Sequence, residues 1–146
     1  MSWLKSMMEK EPPEPENPIG IVVIGNLDPC VHEASSEQVR KALKRAQFKV
    51  VKLGKKVPAE VFASKAKEAN ADIIAVSVNT TPAKDNLPKL PLAIESMGLR
   101  DKVALMIGGA AVKGEDAEKI GAIYGKTKEE AVAIAKRVME EKKAAK

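Results

Sequence analysis

Short apolar segments alternate with segments of helical periodicity along the chain from residue 18 onward. The first apolar segment, 19–24, is almost continuous in isoleucine and valine, which is typical of a central parallel strand. Further strands are predicted at 49–53, 72–77, 102–107 and 122–124. Helical patterns separate and follow them at 37–46, 58–69, 82–98, 115–120 and 128–141. This alternation predicts an α/β fold, a five-stranded parallel sheet with helices on both faces.

The first 18 residues differ in composition from the rest of the 146-residue chain. Trp3, Met7 and Met8 give the beginning an apolar side, and the prolines and glutamates of 11–18 favour an extended, acidic spacer. Two interpretations are open, a tethered docking peptide or a disordered leader. The sequence predicts an N-terminal extension over 1–18 and one domain over 19–146.

Composition excludes several classes of protein. Aromatic residues are only 3% of the chain, which argues against a stacking surface for nucleic acid, and the net charge of +5 is spread over interleaved acids and bases. No apolar run is long enough to span a bilayer, and no signal peptide is visible. The single cysteine allows no internal disulfide. We therefore expect a cytoplasmic protein that binds neither nucleic acid nor membrane.

The carboxyl ends of parallel strands meet at one edge of the sheet, and ligands bind there in open α/β folds. That edge should collect the loop 26–36, the turn after Leu53, and the segments 77–81 and 108–112. No G-x-G-x-x-G or P-loop motif follows a strand, so a nicotinamide dehydrogenase or nucleotide hydrolase is not indicated. His32, the only histidine, is either a metal ligand or proton carrier at this edge, or an ordinary surface residue.

Four stretches carry a resemblance to a known family. They read LGKKVPAEVF within 48–62, ADIIAVS within 70–77, GLRDKVALMIGGAAV over 98–112 and GAIY over 121–124. These resemble the cobalamin-binding domain of corrinoid methyl-carrier proteins, shared with methionine synthase and the small subunits of carbon-skeleton mutases. The resemblance covers about 18–138. It implies a Rossmann-like, or flavodoxin-like, cobalamin-binding fold.

The family's cofactor signature is Asp-x-His-x-x-Gly in the loop after the first strand, and here that loop reads CVHEAS over 30–35. His32 matches, whereas Cys30 replaces the aspartate and Ser35 replaces the glycine. The resemblance implies that His32 displaces the cofactor's own benzimidazole and ligates cobalt from below. A thiol is a poor acceptor for the second imidazole N–H, a role that Asp28 or Glu33 could take instead.

The resemblance also implies that the nucleotide tail of the cofactor inserts beside the sheet, near Ser77 and the pair Gly108 and Gly109. Asn79 departs from the leucine that is usual at its position. The predicted cofactor-binding residues are Cys30, Val31, His32, Glu33, Ser35, Ser77, Asn79, Thr81, Gly108, Gly109 and Tyr124, with His32 as the metal ligand.

These features predict a corrinoid-binding subunit that carries a methyl group between partner methyltransferases, rather than a complete enzyme. Its expected cofactor is cobalamin or a related corrinoid, and its expected partners are methyltransferase subunits or a reductive activator. Two alternatives are open. One is the small subunit of a carbon-skeleton mutase, and the other is an interaction module whose cofactor site has decayed, as Cys30 and Ser35 would suggest.

Overall fold

The computed structural model describes residues 11–145. The apolar segment that contains Trp3, Met7 and Met8 lies outside the described residues, so the choice between docking peptide and leader stays a prediction. The division into an extension over 1–18 and a domain over 19–146 likewise stays a prediction. No helix within 11–145 combines the length and the apolar character needed to cross a membrane.

Five parallel strands form one sheet in the order β2-β1-β3-β4-β5. The strands are β1 Ile21–Leu27, β2 Lys49–Val57, β3 Ile73–Ser77, β4 Ala104–Gly108 and β5 Ile123–Tyr124. The predicted five-stranded parallel sheet is confirmed. Strand order reverses between β1 and β3, so the loops after these two strands diverge and open a crevice at the carboxyl edge.

Within residues 11–145, six helices connect and flank the strands. They are α1 Ala34–Arg45, α2 Ala59–Ala69, α3 Thr81–Lys84, α4 Lys89–Ser96, α5 Gly114–Lys119 and α6 Lys128–Ala144. Side chains of α1 and α6 pack with Val22 and Ile24 of β1 in one buried cluster. Side chains of α2, α4 and α5 pack with Val23 and Leu27 in another. Because successive strand residues face opposite sides, the two helix groups cover opposite faces of the sheet.

Some predicted boundaries are wrong. The expected turn after Leu53 does not exist, because β2 continues to Val57 through a register shift at which Gly54, with φ of 94°, pairs with Gly25. Asn26 lies within β1 and not in a loop. Helix α1 begins at Ala34, three residues earlier than predicted. The predicted helix over 82–98 is instead two helices, α3 and α4, which are separated by residues 85–88.

The described part of the acidic spacer lies against α1. The carboxylate of Glu11 pairs bidentately with the Arg40 guanidinium, at 2.6 and 2.7 Å, and also contacts Lys44 Nζ at 2.6 Å. Glu14 adds a second contact to Lys44 at 2.8 Å, and Pro12 is buried. These contacts fix the path of the chain as it enters the domain.

We expect the stabilising effect of Glu11 to depend on pH. Hydrogen bonds from Arg40 and then Lys44 lower the pKa of Glu11 from 4.5 to about 2. The contribution is therefore complete above pH 4.5 and is lost as the pH falls toward 2. Because the Glu11 side chain is 49% exposed, solvent screening should hold it below about 1 kcal/mol.

Urea unfolding of the wild type and of Glu11→Gln at several pH values tests this expectation. The wild type should be the more stable protein near pH 6, and the difference should vanish near pH 2. Glu16→Gln is the matched control, because Glu16 belongs to the same segment but forms no ion pair within residues 11–145. An unchanged difference between pH 6 and pH 2 would contradict the assignment.

Candidate functional site

A cleft of about 900 Å³ opens at the carboxyl ends of β3 and β4, between the first turns of α1 and α6. Most residues on its walls have small side chains. Its walls include Ser35, Gln38 and Val39 of α1, Ala75, Ser77 and Asn79 of and after β3, Gly108, Gly109 and Ala110 at the end of β4, and Tyr124, Thr127, Glu129 and Ala131. The protein leaves the cleft open, so its volume is available to a ligand.

The structure brings together six of the eleven residues predicted from the sequence. Those that line the cleft are Ser35, Ser77, Asn79, Gly108, Gly109 and Tyr124. The other five, Cys30, Val31, His32, Glu33 and Thr81, do not line it. Four of these belong to the loop between β1 and α1, and Thr81 is the exposed first residue of α3. The predicted site is therefore a cleft and a separate loop beside it.

His32 lies exposed on the loop between β1 and α1. Its backbone carbonyl accepts two hydrogen bonds, from Asn26 Nδ2 at 2.8 Å and from Asn79 Nδ2 at 3.0 Å. Within residues 11–145 its imidazole has no hydrogen-bond partner. The main chain of His32 is thus held in place, while both ring nitrogens remain available to an external group.

Asn26 is a site residue that the sequence analysis missed. Its side chain is fully buried at the end of β1, and its Oδ1 accepts a hydrogen bond from Ser36 Oγ at 2.8 Å. Its Nδ2 donates to the carbonyl of His32 and to Cys30 Sγ, at 3.4 Å for the sulfur. The sequence did contain a signal for this role, an asparagine near the end of an otherwise apolar strand. A buried side-chain amide needs hydrogen-bond partners, so its presence there indicates a polar network.

Cys30 is buried and faces the two asparagines. Burial, the strongest influence, raises the pKa of the thiol, but a hydrogen bond from the Asn26 side chain and bonds from the backbone of His32 and Asn79 together outweigh it and lower the pKa. Asn79 Nδ2 also lies 3.7 Å from the sulfur. The thiol therefore takes part in the packing beneath the loop and does not orient the imidazole.

Neither of the two carboxylates that could have replaced the aspartate forms a hydrogen bond with the His32 ring within residues 11–145. Glu33 lies 3.7 Å from Lys52 Nζ and 3.8 Å from Lys55 Nζ of β2. The backbone carbonyl of Asp28 accepts a hydrogen bond from Asn86 Nδ2 at 2.7 Å. Among the described residues no carboxylate hydrogen-bonds to the His32 ring.

The two glycines at the end of β4, Gly108 and Gly109, are required by the protein's own backbone. A Cβ at Gly109 would lie 2.2 Å from the carbonyl oxygen of Val78, and φ at this residue is 121°. A Cβ at Gly108 would lie 2.5 Å from the carbonyl oxygen of Gly125. The family resemblance implied that these glycines lie beside the ligand, but the contacts show that they first allow three chain segments to meet at the cleft.

Three lysines, Lys113, Lys126 and Lys128, line the same cleft and form no ion pair with any described residue. The first turn of the 17-residue helix α6 lies beside them, capped by Thr127, whose Oγ1 accepts from Glu130 N at 3.1 Å. Positive charge and a helix N-terminus favour a ligand that carries an anionic group. Glu129 is the one acidic residue of the lining.

Comparison with known sequences identifies the family. The sequence model of the B12 binding domain matches residues 20–135, which include β1 to β5, the loop of His32 and all the residues that line the cleft. The chain belongs to the B12 binding domain family. Cobalamin or a related corrinoid is therefore the cofactor class of the fold, and the open cleft and the available imidazole nitrogens fit such a group.

The relatives of this B12 binding domain include corrinoid proteins of methanogens. It is 37% identical over 140 residues to trimethylamine corrinoid protein 1 of Methanosarcina acetivorans, covering 95% of this chain and 64% of that protein. The structure of the Methanosarcina barkeri monomethylamine corrinoid protein superposes with a TM-score of 0.81 and 25% identity, covering 94% of this chain and 65% of that one. The chain thus spans less than two thirds of the length of these relatives.

A methanol:cobalamin methyltransferase complex from Methanosarcina barkeri has a chain with the same fold. The TM-score is 0.80 at 22% identity, covering 85% of this chain and 48% of that one. At this level of identity the likeness concerns the fold alone. It confirms the Rossmann-like arrangement of sheet and helices described above.

Proposed function

We propose that this B12 binding domain carries a corrinoid whose cobalt is ligated by His32 and whose nucleotide tail occupies the cleft. The single observation that supports this most strongly is the open cleft beside an imidazole that has no hydrogen-bond partner among residues 11–145. When bound, the corrinoid supplies a nucleophilic cobalt that takes a methyl group from one partner and passes it to another. The protein itself binds and orients the cofactor.

His32 would hold the metal through one ring nitrogen. The ring is exposed, so ligation displaces water and requires no rearrangement of the core. Among the described residues no carboxylate supports the other ring nitrogen, so His32 would be held less firmly as a metal ligand than a supported histidine. Easier release of the histidine would suit a carrier protein.

The cleft would hold the nucleotide tail. Ile24, Val39 and Met106 offer apolar contact to a flat base, and Lys113, Lys126 and Lys128 offer positive charge to its phosphate. Ser77 and Asn79 provide polar atoms at the opening toward the His32 loop. An open cleft of this size argues against the interaction module with a decayed site.

The methyl-carrying role is proposed from the relatives. Its relatives include trimethylamine and dimethylamine corrinoid proteins, which favours the methyl carrier over the mutase subunit. We propose a methyltransferase subunit or a reductive activator as partner, in the cytoplasm. The same fold occurs in a methanol:cobalamin methyltransferase complex, which is consistent with such a partner.

Filling the cleft should separate tail binding from ring binding. Glu129 lines the cleft at the start of α6, and its exposed neighbour Glu130 does not. We expect Glu129→Trp to weaken binding of hydroxocobalamin by about tenfold, because the indole would overfill the cleft. A tenfold weaker affinity corresponds to a loss of somewhat more than about 1 kcal/mol in binding free energy. Binding of cobinamide, which lacks the tail, should not change.

Titration of both corrinoids, followed by visible absorbance, measures these affinities. Glu130→Trp is the matched control, because it places the same indole on the same helical turn outside the cleft and should bind both corrinoids as the wild type does. If Glu129→Trp bound cobalamin with wild-type affinity, or lost affinity for cobinamide equally, the tail would not occupy this cleft.

A further inference from the structure

Asn79 joins three segments that meet at the carboxyl edge of the sheet. Its Nδ2 donates to the His32 carbonyl at 3.0 Å and to Ser77 Oγ at 3.1 Å. Its Oδ1 accepts from the Ala110 backbone N–H at 2.9 Å. One side chain thus connects the loop after β1, the end of β3 and the loop after β4, and it also forms part of the cleft wall.

The side chains of Asn26 and Asn79 both donate a hydrogen bond to the backbone carbonyl of His32. Asn26 Nδ2 approaches the His32 oxygen at 2.8 Å from the buried side, and Asn79 Nδ2 approaches it at 3.0 Å from the cleft side. Two donors use both lone pairs of the carbonyl and fix the plane of the peptide that follows His32. With the backbone fixed, only the side-chain torsions of His32 remain to be ordered when a ligand binds.

We infer that Asn79 is a positioning residue for His32, holding its backbone so that the imidazole meets the metal of a tail-bound corrinoid. The inference rests on the proposed role of His32 as cobalt ligand. In other members of the family a carboxylate that bonds the imidazole would orient it. Here the hydrogen bonds from Asn26 and Asn79 to the His32 carbonyl would take over that orienting function. Asn79 is the better of the two amides to test, because Asn26 is fully buried and also bonds Ser36.

A double-mutant cycle distinguishes positioning from a general contribution to the fold or the cleft. The dissociation constant of hydroxocobalamin is measured for the wild type, Asn79→Ala, His32→Ala and the double variant. We expect Asn79→Ala to weaken binding by about ten- to a hundredfold when His32 is present, as for loss of an orienting partner. In the His32→Ala background the same change should weaken binding by less than about threefold, because the group that it positions is absent.

Two further variants make the cycle specific. Asn79→Asp keeps an oxygen for the Ala110 N–H but cannot donate to the His32 carbonyl, and should behave as Asn79→Ala does. Asn86→Ala removes an amide that donates at 2.7 Å to Asp28 O in the same loop but touches neither His32 nor the cleft. Its effect should be equal in both backgrounds. Thermal melts check that each variant is folded, and Asn79→Leu replaces an Asn79 variant that is not.

Equal losses for Asn79→Ala in the two backgrounds would overturn the inference while leaving His32 as ligand. So would an Asn86→Ala variant whose losses differ between backgrounds as much as those of Asn79→Ala. If His32→Ala alone bound hydroxocobalamin as the wild type does, the proposed role of His32 would fail first, and the inference would fail with it.

Discussion

Replacing His32 by alanine is expected to weaken hydroxocobalamin binding by about a hundredfold or more. Loss of a group that merely orients a metal ligand typically costs ten- to a hundredfold, so loss of the ligand itself should cost at least as much. The melting temperature should stay within about 1–2 °C of the wild-type value, because the side chain is exposed and has no hydrogen-bond partner within residues 11–145.

Spectral titration gives the dissociation constants, and added imidazole provides an internal check. Imidazole supplied to the His32→Ala protein should restore the absorption spectrum of a nitrogen-ligated corrinoid. Leu92→Ala is the control for truncation of an exposed side chain, because Leu92 is 66% exposed on α4 and belongs neither to the cleft nor to the His32 loop. Equal affinities for the wild type and the His32→Ala variant would show that the metal is held without this residue.

Replacing Gly109 by alanine is expected to lower the free energy of unfolding by about 3 kcal/mol or more. The positive φ of 121° costs of order 1–3 kcal/mol for a residue with a side chain. Overlap of the new Cβ with the Val78 carbonyl, 2.2 Å away, adds about 1–3 kcal/mol, because backbone must move to relieve it. The melting temperature should fall by about 10 °C.

Gly54→Ala separates the two contributions. Gly54 also has a positive φ, 94°, but its added Cβ would meet no atom within 4 Å. This control should therefore show only the backbone cost, about 1–2 kcal/mol. Urea unfolding of both variants measures the difference. Equal losses would mean that the close approach of Gly109 to Val78 does not constrain the fold, and that the cleft can adapt to a side chain there.

The fold could be predicted because its pattern is local. An apolar run such as that of β1 indicates a central strand, and alternation with helices restricts the topology to a parallel sheet. The ends of the strands could not be predicted from the sequence as well as their existence. β2 passes through a register shift at Gly54 and ends at Val57, and no local pattern indicates that a strand continues through an irregular pair.

The site was predicted in part, for a physical reason. Ser77 and Gly108 end strands and Gly109 follows one, so topology alone places all three at the carboxyl edge. The network beneath His32 could not be read in the same way, because Asn79 meets Cys30 and the His32 carbonyl across 49 and 47 residues of sequence. The first turn of α6 was missed because its lysines look like an ordinary solvated helix start.

The most direct test of His32 as the cobalt ligand is electron paramagnetic resonance of the cobalt(II) form of the bound corrinoid. His32 is the only histidine, so protein labelled uniformly with ¹⁵N and loaded with unlabelled cobalamin identifies the nitrogen on the metal. We predict that the nitrogen splitting is a doublet in labelled protein and a triplet in unlabelled protein. A triplet in both samples would place the cofactor's own benzimidazole on the metal and would contradict ligation by His32.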